Sequence, residues 1–411
     1  METLLNRVSR QFGQGCLEFQ AADGRVWTLG RNEPRAVLRL HHPSALFKIL
    51  LNPQLRFPEG YMDGAWDPAD GDLLHVLEVA VRMAGSVKSS RMDRLLGNAA
   101  AWLGELNNPL RSRSNVHRHY DLDYALYSNF LDQEMFYSCA YFNDEGREEA
   151  MSLEAAQQAK CAHIAAKLDL KPGARVLDIG CGWGSLAFYL AQRFDARVTG
   201  ITLSEEQLKV AQRRAQERGL GRQVEFRLED YRDTRGEFDA IVSVGMFEHV
   251  GRPQYHNFFQ QVHDLLAPDG TALLHTIGRT TPPGGTNPWI RKYIFPGGYI
   301  PAASEVMAAM EPQGLILTDF EVWRLHYART LAEWNRRFQA KRSHFAEKLG
   351  ERFCRMWEFY LLVSEAGFRW GDLVVFHAQM ERNLNRLPLT RDYLYGGDRR
   401  RQTVTPIRKH A

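Results

Sequence analysis

The sequence predicts an α/β fold: a doubly wound, mostly parallel seven-stranded sheet with a small α+β unit ahead of it. Three observations carry this prediction. Arg175–Gln207 reads as strand, glycine turn, helix and strand, with Gly180, Gly182 and Gly184 at the turn. From Ser152 to Met380, apolar runs of strand length alternate with helical patterns, the order of a parallel sheet with helical crossovers. Polar and glycine-rich stretches fall directly after the predicted strands, where such sheets bind ligands.

The first unit is assigned to residues 1–83. Leu17–Phe19 and Val26–Leu29 flank an Ala-Asp-Gly turn signal, and Val37–Leu40 alternates as a further strand. Ala45–Leu51 is apolar at helical spacing, and Asp72–Met83 is amphipathic. Between them Phe57–Asp67 is rich in glycine and aromatics, with Tyr61, Met62 and Trp66 reading as core. Nothing here resembles catalytic chemistry, so a docking or binding unit is expected. Residues 84–116 read as a basic linker, with Lys88, Arg91, Arg94, Arg111 and Arg113 against Asp93 and Glu105. Such a segment either lies on an anionic membrane or is a solvated connection.

The main unit is assigned to 117–395. Its opening stretch is aromatic throughout, and those rings either line an apolar cavity or pack as core. Cys139 lies there as a candidate nucleophile, with no partner histidine identifiable. The predicted sheet then runs Arg175–Ile179, Val198–Ile201, Val224–Leu228, Asp239–Val244, Gly270–Thr276, Leu315–Trp323 and Asp372–Met380. Helices are expected at Ser152–Leu168, Ser185–Phe194, Ser204–Arg218, Tyr255–Leu266, Thr330–Lys348 and Arg352–Phe368. Ser204 suits a helix cap. Residues 279–300 form an irregular, aromatic insert carrying Arg291 and Lys292, a composition that suits a lipid tail beneath an anionic head group. Residues 396–411 are expected to be a basic, mobile tail.

Composition narrows the class. A net charge of +3 over 411 residues is too weak to argue for a nucleic-acid partner. No run of about 18 apolar residues marks a membrane span, and the first residues lack the apolar core of a signal peptide. The five cysteines are scattered without a C-x-x-C pair, which suggests a reducing cytoplasm and no zinc site.

The glycine spacing selects the ligand. A dinucleotide site wants G-x-G-x-x-G and an acidic residue about 20 residues on, but Thr202 stands where that acid would be. No G-x-x-x-x-G-K-[ST] loop is present. The D-I-G-C-G-W-G stretch instead resembles the loop of Rossmann-like class I S-adenosylmethionine (SAM) methyltransferases. The order YMDGAWD, HYDL, YSCAYF, VLDIGCGWG, GITLSEEQ, LEDYRD, FEHV, HTIG and YIFPGGYIP, from Tyr61 to Tyr393, resembles the cyclopropane-fatty-acyl-phospholipid synthase family. One departure is Asp123-Tyr124, where that family often has Gly-Asn after HYDL.

The resemblance implies a reaction: the SAM methyl adds to a cis double bond of a phospholipid acyl chain, and loss of a proton from it closes a cyclopropane ring. It implies bicarbonate as the base, held by Cys139 and Ile277 through backbone N–H groups, His275 and Tyr327 through side chains, and Glu248 as acceptor. For SAM it points to Tyr137, Ser138, Gly180, Gly182, Thr202, Gln207, Glu229 and Asp230, with either Glu229 or Asp230 on the adenine. It further implies a homodimer, and the basic linker and aromatic insert suggest peripheral association with the inner face of the cytoplasmic membrane. Two other readings are a fatty-acyl methyltransferase giving a methyl-branched or methylene product, and a lipid carrier that keeps SAM only as a ligand.

Overall fold

The computed structural model describes residues 5, 8–42, 44–87, 124–143 and 150–395. Most of the predicted basic linker, Asp123 and the predicted tail lie outside the described residues.

The first sheet contains β1 (Cys16–Ala21), β2 (Val26–Gly30), β3 (Arg35–Leu40) and β4 (Trp66–Pro68), in the order β2-β1-β3-β4. Helices α1 (Ser44–Leu51), α2 (Pro53–Met62) and α3 (Leu73–Ser86) accompany it. Phe19, Leu38, Trp66 and Val76 are fully buried between them. Asp72 caps α3 by accepting from the His75 N–H at 3.0 Å. Helix α2 and strand β4 were not expected, because Pro58 and Gly60 are poor helix formers. Two features compensate. Pro53 is the first helical residue, where its missing N–H costs nothing. At Gly60 a Cβ would stand 2.9 Å from the Trp66 ring, whose Nε1–H donates to Phe57 O at 2.9 Å.

The second sheet contains β5 (Arg175–Ile179), β6 (Arg197–Thr202), β7 (Val224–Leu228), β8 (Phe238–Val244), β9 (Leu266–Arg279), β10 (Ile316–Trp323) and β11 (Leu373–Glu381). The order is β10-β11-β9-β8-β5-β6-β7, parallel from β9 to β7, with β11 antiparallel to both its neighbours. The doubly wound, mostly parallel seven-stranded sheet is therefore present. Successive residues of β5 enter different cores: Val176 packs with Ile164 and Leu190 on one face, Leu177 and Ile179 with Phe258 and Phe259 on the other.

The helices of this part are α4 (Tyr124–Phe130), α5 (Leu153–Leu168), α6 (Ser185–Phe194), α7 (Glu205–Glu217), α8 (Tyr255–Leu265), α9 (Pro288–Tyr293), α10 (Ala303–Met310), α11 (His326–Ala340), α12 (Arg342–Leu349) and α13 (Glu351–Trp370). The single helix expected over Thr330–Lys348 is two helices. The chain turns at Lys341, and Phe338 stacks on Phe345 with centroids 4.9 Å apart across the bend. The insert is also less irregular than expected. Asn287 caps α9 by accepting from Trp289 and Ile290 N–H groups. Its Trp289 Nε1–H reaches Met62 Sδ at 3.1 Å, and Lys292 Nζ and Tyr293 OH both donate to Glu59 Oε1. From α13, Arg355 pairs with Asp67, and Glu358 accepts from Tyr61 OH at 2.8 Å. The small sheet and its helices are thus tied to the insert and to α13.

Candidate active site

The sheet order reverses between β5 and β8, and a crevice opens at their C-terminal ends. Its floor is the turn after β5. Gly180 has φ +83°, and a Cβ there would stand 2.7 Å from Met246 Cβ. Gly182 has φ +54°, and a Cβ there would meet nothing within 4 Å, since it would project into the crevice. Asp178 at the end of β5 is buried, its Oδ2 has no hydrogen-bond partner, and burial pushes its carboxyl up to about 7.

All eight residues expected to bind SAM line this crevice: Tyr137, Ser138, Gly180, Gly182, Thr202, Gln207, Glu229 and Asp230. Thr202 Oγ1 donates to Gln207 Oε1 at 2.8 Å, which leaves the Gln207 amide nitrogen as the end that can serve a ligand. Ser204 caps α7 through the Gln207 N–H at 3.2 Å, as expected. The open choice between Glu229 and Asp230 is narrowed. Both Asp230 oxygens are held by Arg232, at 2.8 and 2.6 Å, whereas Glu229 has only a 3.8 Å contact with Arg227. Of the two, Glu229 is the carboxylate less committed to a protein partner.

The crevice wall from Met135 to Ser138 is held in place by polar groups. Asp132 accepts from the Glu134 and Phe136 N–H groups, and Met135 takes φ +68°, a strained value for its type. Gln157 Nε2 donates to Ser138 O at 3.0 Å, and Lys160 Nζ donates to Ser138 Oγ at 2.8 Å. Sequence reading missed Lys160, Asp178 and His249 as lining residues. Lys160 was findable: Gln157, Lys160, Cys161 and Ile164 fall on one α5 face, so a lysine among apolar neighbours was due for burial. An unpartnered acceptor, an open glycine and a polar end near Glu229 together fit the amino-acid, sulfonium and nucleoside parts of SAM.

The five residues expected to hold the base are not among those that line the crevice. Two of them adjoin it in sequence: Cys139 follows Ser138 and Glu248 precedes His249, both lining residues. Glu248 is buried, burial pushes it up to about 7, and its Oε2 has no hydrogen-bond partner. Its Oε1 accepts the Ile277 N–H at 2.6 Å. That differs from the expectation, which assigned the Ile277 N–H to an anion; a buried carboxylate takes the nearest backbone donor. His275 Nδ1 lies 2.6 Å from His377 Nε2. His377 Nδ1 is buried without a partner, so a proton there would be stranded. This favours the tautomer pair in which His377 Nε2–H donates to His275 Nδ1 and His275 carries its own proton on Nε2. Burial holds both rings neutral, well below the usual histidine range. The Tyr327 ring lies 5.9 Å from Trp334, which stacks on Tyr137 at 5.1 Å. The structure brings Glu248 and Ile277 into direct contact, with His275 two residues before Ile277 on β9.

Cys139 does not suit a nucleophile. Its thiol is fully buried, lies 3.3 Å from Ala140 O, and is pushed by burial well above the usual thiol range. Among the described residues, His163, Glu321 and His377 bring possible metal-ligand atoms within 4.8 Å of one another. Lys167 Nζ already stands 2.7 Å from Glu321 Oε2, so the positive charge there is supplied by the protein.

Comparison with known proteins agrees with this architecture. Residues 108–378 match the family model described as mycolic acid cyclopropane synthetase. The chain is 40% identical over 353 residues to the cyclopropane-fatty-acyl-phospholipid synthase of Escherichia coli (strain K12), covering 85% of this chain and 90% of that one. It is 37% identical over 369 residues to the tuberculostearic acid methyltransferase UfaA1 of Mycobacterium tuberculosis, covering 84% of each. Among solved structures, the mycolic acid cyclopropane synthase CmaA1 complexed with S-adenosylhomocysteine (SAH) and CTAB superposes with a TM-score of 0.61 at 33% identity. That match covers 67% of this chain and 99% of CmaA1. The chain belongs to the mycolic acid cyclopropane synthetase family, SAM-dependent enzymes built on the class I methyltransferase fold.

Proposed function

We propose that the protein transfers a methylene group from SAM to the cis double bond of unsaturated acyl chains in membrane phospholipids, forming a cyclopropane ring, with bicarbonate as the base. The observation that carries this reading is Glu248: a buried carboxylate with an unpartnered Oε2, next in sequence to a crevice residue and bonded to Ile277 on β9, the strand that also carries His275. An alkene that takes up a methyl cation becomes a cation itself. A neutral apolar pocket cannot stabilise that charge, but a negative group held by fixed donors can. Bound SAM supplies the electrophilic methyl group. Glu248, when ionised, accepts the hydroxyl proton of the anion and orients it. His275 Nε2–H and Tyr327 OH donate to its oxygens, with the Cys139 and Ile277 N–H groups. Ile277 then exchanges its present partner Glu248 for the anion. In the crevice, Tyr137, Ser138 and Asp178 serve the amino-acid end, Thr202 and Gln207 the ribose, and Glu229 the nucleoside edge.

Phospholipid as substrate is supported by the Escherichia coli relative, which matches 85% of the chain, whereas CmaA1 matches 67%. The extra coverage leaves room for residues 1–83 to act as a lipid-docking unit. UfaA1, named a methyltransferase, supports the second reading, a methyl-branched product. Bicarbonate separates the roles: turnover of purified protein in carbonate-free buffer should fall several-fold and return on adding bicarbonate. No response would remove bicarbonate from the account. We further infer a homodimer bound peripherally to the inner membrane face. The protein should sediment with anionic vesicles at low salt and release at high salt; failure to sediment removes the membrane reading. A solution mass of one chain, 47.2 kDa, would remove the dimer.

A further inference from the structure

Lys160 is 1% exposed, yet it lines the crevice. Its ammonium lies 3.8 Å from the centroid of the Phe136 ring and donates to Ser138 Oγ at 2.8 Å. Asp132 and Asp178 act on it electrostatically. Burying a lysine is costly unless its charge is used, and neither Asp132 nor Asp178 forms a direct ion pair with it among the described contacts. Asp132 spends its oxygens on the Glu134 and Phe136 N–H groups, and Asp178 leaves Oδ2 open.

The hydrogen-bond direction is informative. A lysine ammonium has three donors and no acceptor. Ser138 Oγ must therefore be the acceptor of that bond, and its own hydroxyl proton has to point elsewhere. On the same helix Gln157 Nε2 donates to the Ser138 carbonyl while Gln157 Oε1 is buried without a partner, so two directions are open to that proton, α5 and the crevice. Toward the crevice, what suits that proton beside a buried ammonium is an acceptor of negative charge.

We propose that Lys160 is a positioning residue for the amino-acid end of the methyl donor: it occupies Ser138 Oγ as an acceptor, which leaves the hydroxyl proton to a ligand in the crevice, and matches the α-carboxylate with a buried positive charge, while the open Asp178 oxygen suits the α-ammonium. This rests on the reading of the crevice as the SAM site. It separates recognition of the amino-acid end, carried by α5 and the residue 138 wall, from recognition of the nucleoside, carried by Thr202, Gln207 and Glu229.

The test is calorimetric binding of two ligands to the full chain: SAH, which keeps the α-amino and α-carboxylate groups, and 5′-methylthioadenosine, which lacks both. Lys160→Met keeps the stem beside Phe136; Lys160→Gln removes the charge but can still donate to Ser138. Both should weaken SAH binding by about 10–100-fold, as expected for a lost charge-assisted hydrogen bond, and change 5′-methylthioadenosine binding by less than about 3-fold. Lys160→Met combined with Ser138→Ala should lose little more than the weaker single variant, because the two side chains act as one unit. Equal loss on both ligands would make Lys160 a scaffold residue and overturn the proposal, and so would unchanged SAH binding. Wild-type protein that binds neither ligand would overturn the SAM site itself. Lys160→Gln decides the matter if Lys160→Met does not fold.

Discussion

Glu248→Gln should reduce turnover by about 10²–10⁴-fold, the range for removing a positioned acid–base group, while SAH affinity stays within about 3-fold of wild type. The amide keeps the size and an oxygen for the Ile277 N–H, but it cannot become the anionic acceptor. Wild-type activity should also carry an acidic limb. Burial raises the native Glu248 value from 4.5 to about 7, so the ionised form accumulates only as pH rises through 7. Turnover should rise across that interval, and the limb should vanish in the variant. The stability sign is the reverse of an ion-paired carboxylate. Between the unfolded value near 4.5 and about 7, the native state binds more protons than the unfolded chain, so stability falls as pH rises. The cost at pH 8 is about 3 kcal/mol. Glu248→Gln removes that cost, so its melting temperature at pH 8 should exceed that of wild type, and the difference should shrink at pH 5. A large loss of SAH binding would contradict the role assigned to this residue.

Gly182→Ala should fold and fail to bind the cofactor. At φ +54° an alanine costs about 1–2 kcal/mol, and no atom lies within 4 Å of the added Cβ. The protein therefore tolerates the methyl group, and the ligand meets it instead. SAH affinity should drop at least about 10-fold, with only a modest fall in melting temperature. Gly180→Ala provides the contrast: its Cβ would stand 2.7 Å from Met246 Cβ, so the loop itself must move and both stability and binding should fall. If Gly182→Ala bound SAH normally, the glycine turn would not be the surface the ligand approaches.

What was legible in the sequence was local. The β5 turn, the Ser204 cap and the strand alternation depend on residues a few positions apart, and each stands where it was expected. Helix α2 was hidden because its stability comes from Trp66 packing on Gly60, a tertiary contact that overrides two weak helix formers. The bend at Lys341 was hidden for the same reason, since no proline or glycine marks it and the Phe338–Phe345 stack makes it. The residues of the site were legible through the motif order, but their wiring was not. That Asp230 is committed to Arg232, that Ile277 serves Glu248, and that His377 sets the His275 proton all depend on contacts that spacing does not encode. Lys160 shows the converse: its burial was readable from the helical face, and its use was not.

The central claim is the product. Purified protein should be incubated with vesicles of a cis-monounsaturated anionic phospholipid, SAM and bicarbonate, and the acyl chains examined by proton NMR and mass spectrometry. The account predicts a gain of one CH₂ per modified chain, loss of the olefinic signals and the appearance of cyclopropane methylene protons. A gain of CH₂ with a methyl-branched or methylene signal and no ring, or no gain at all, would contradict it.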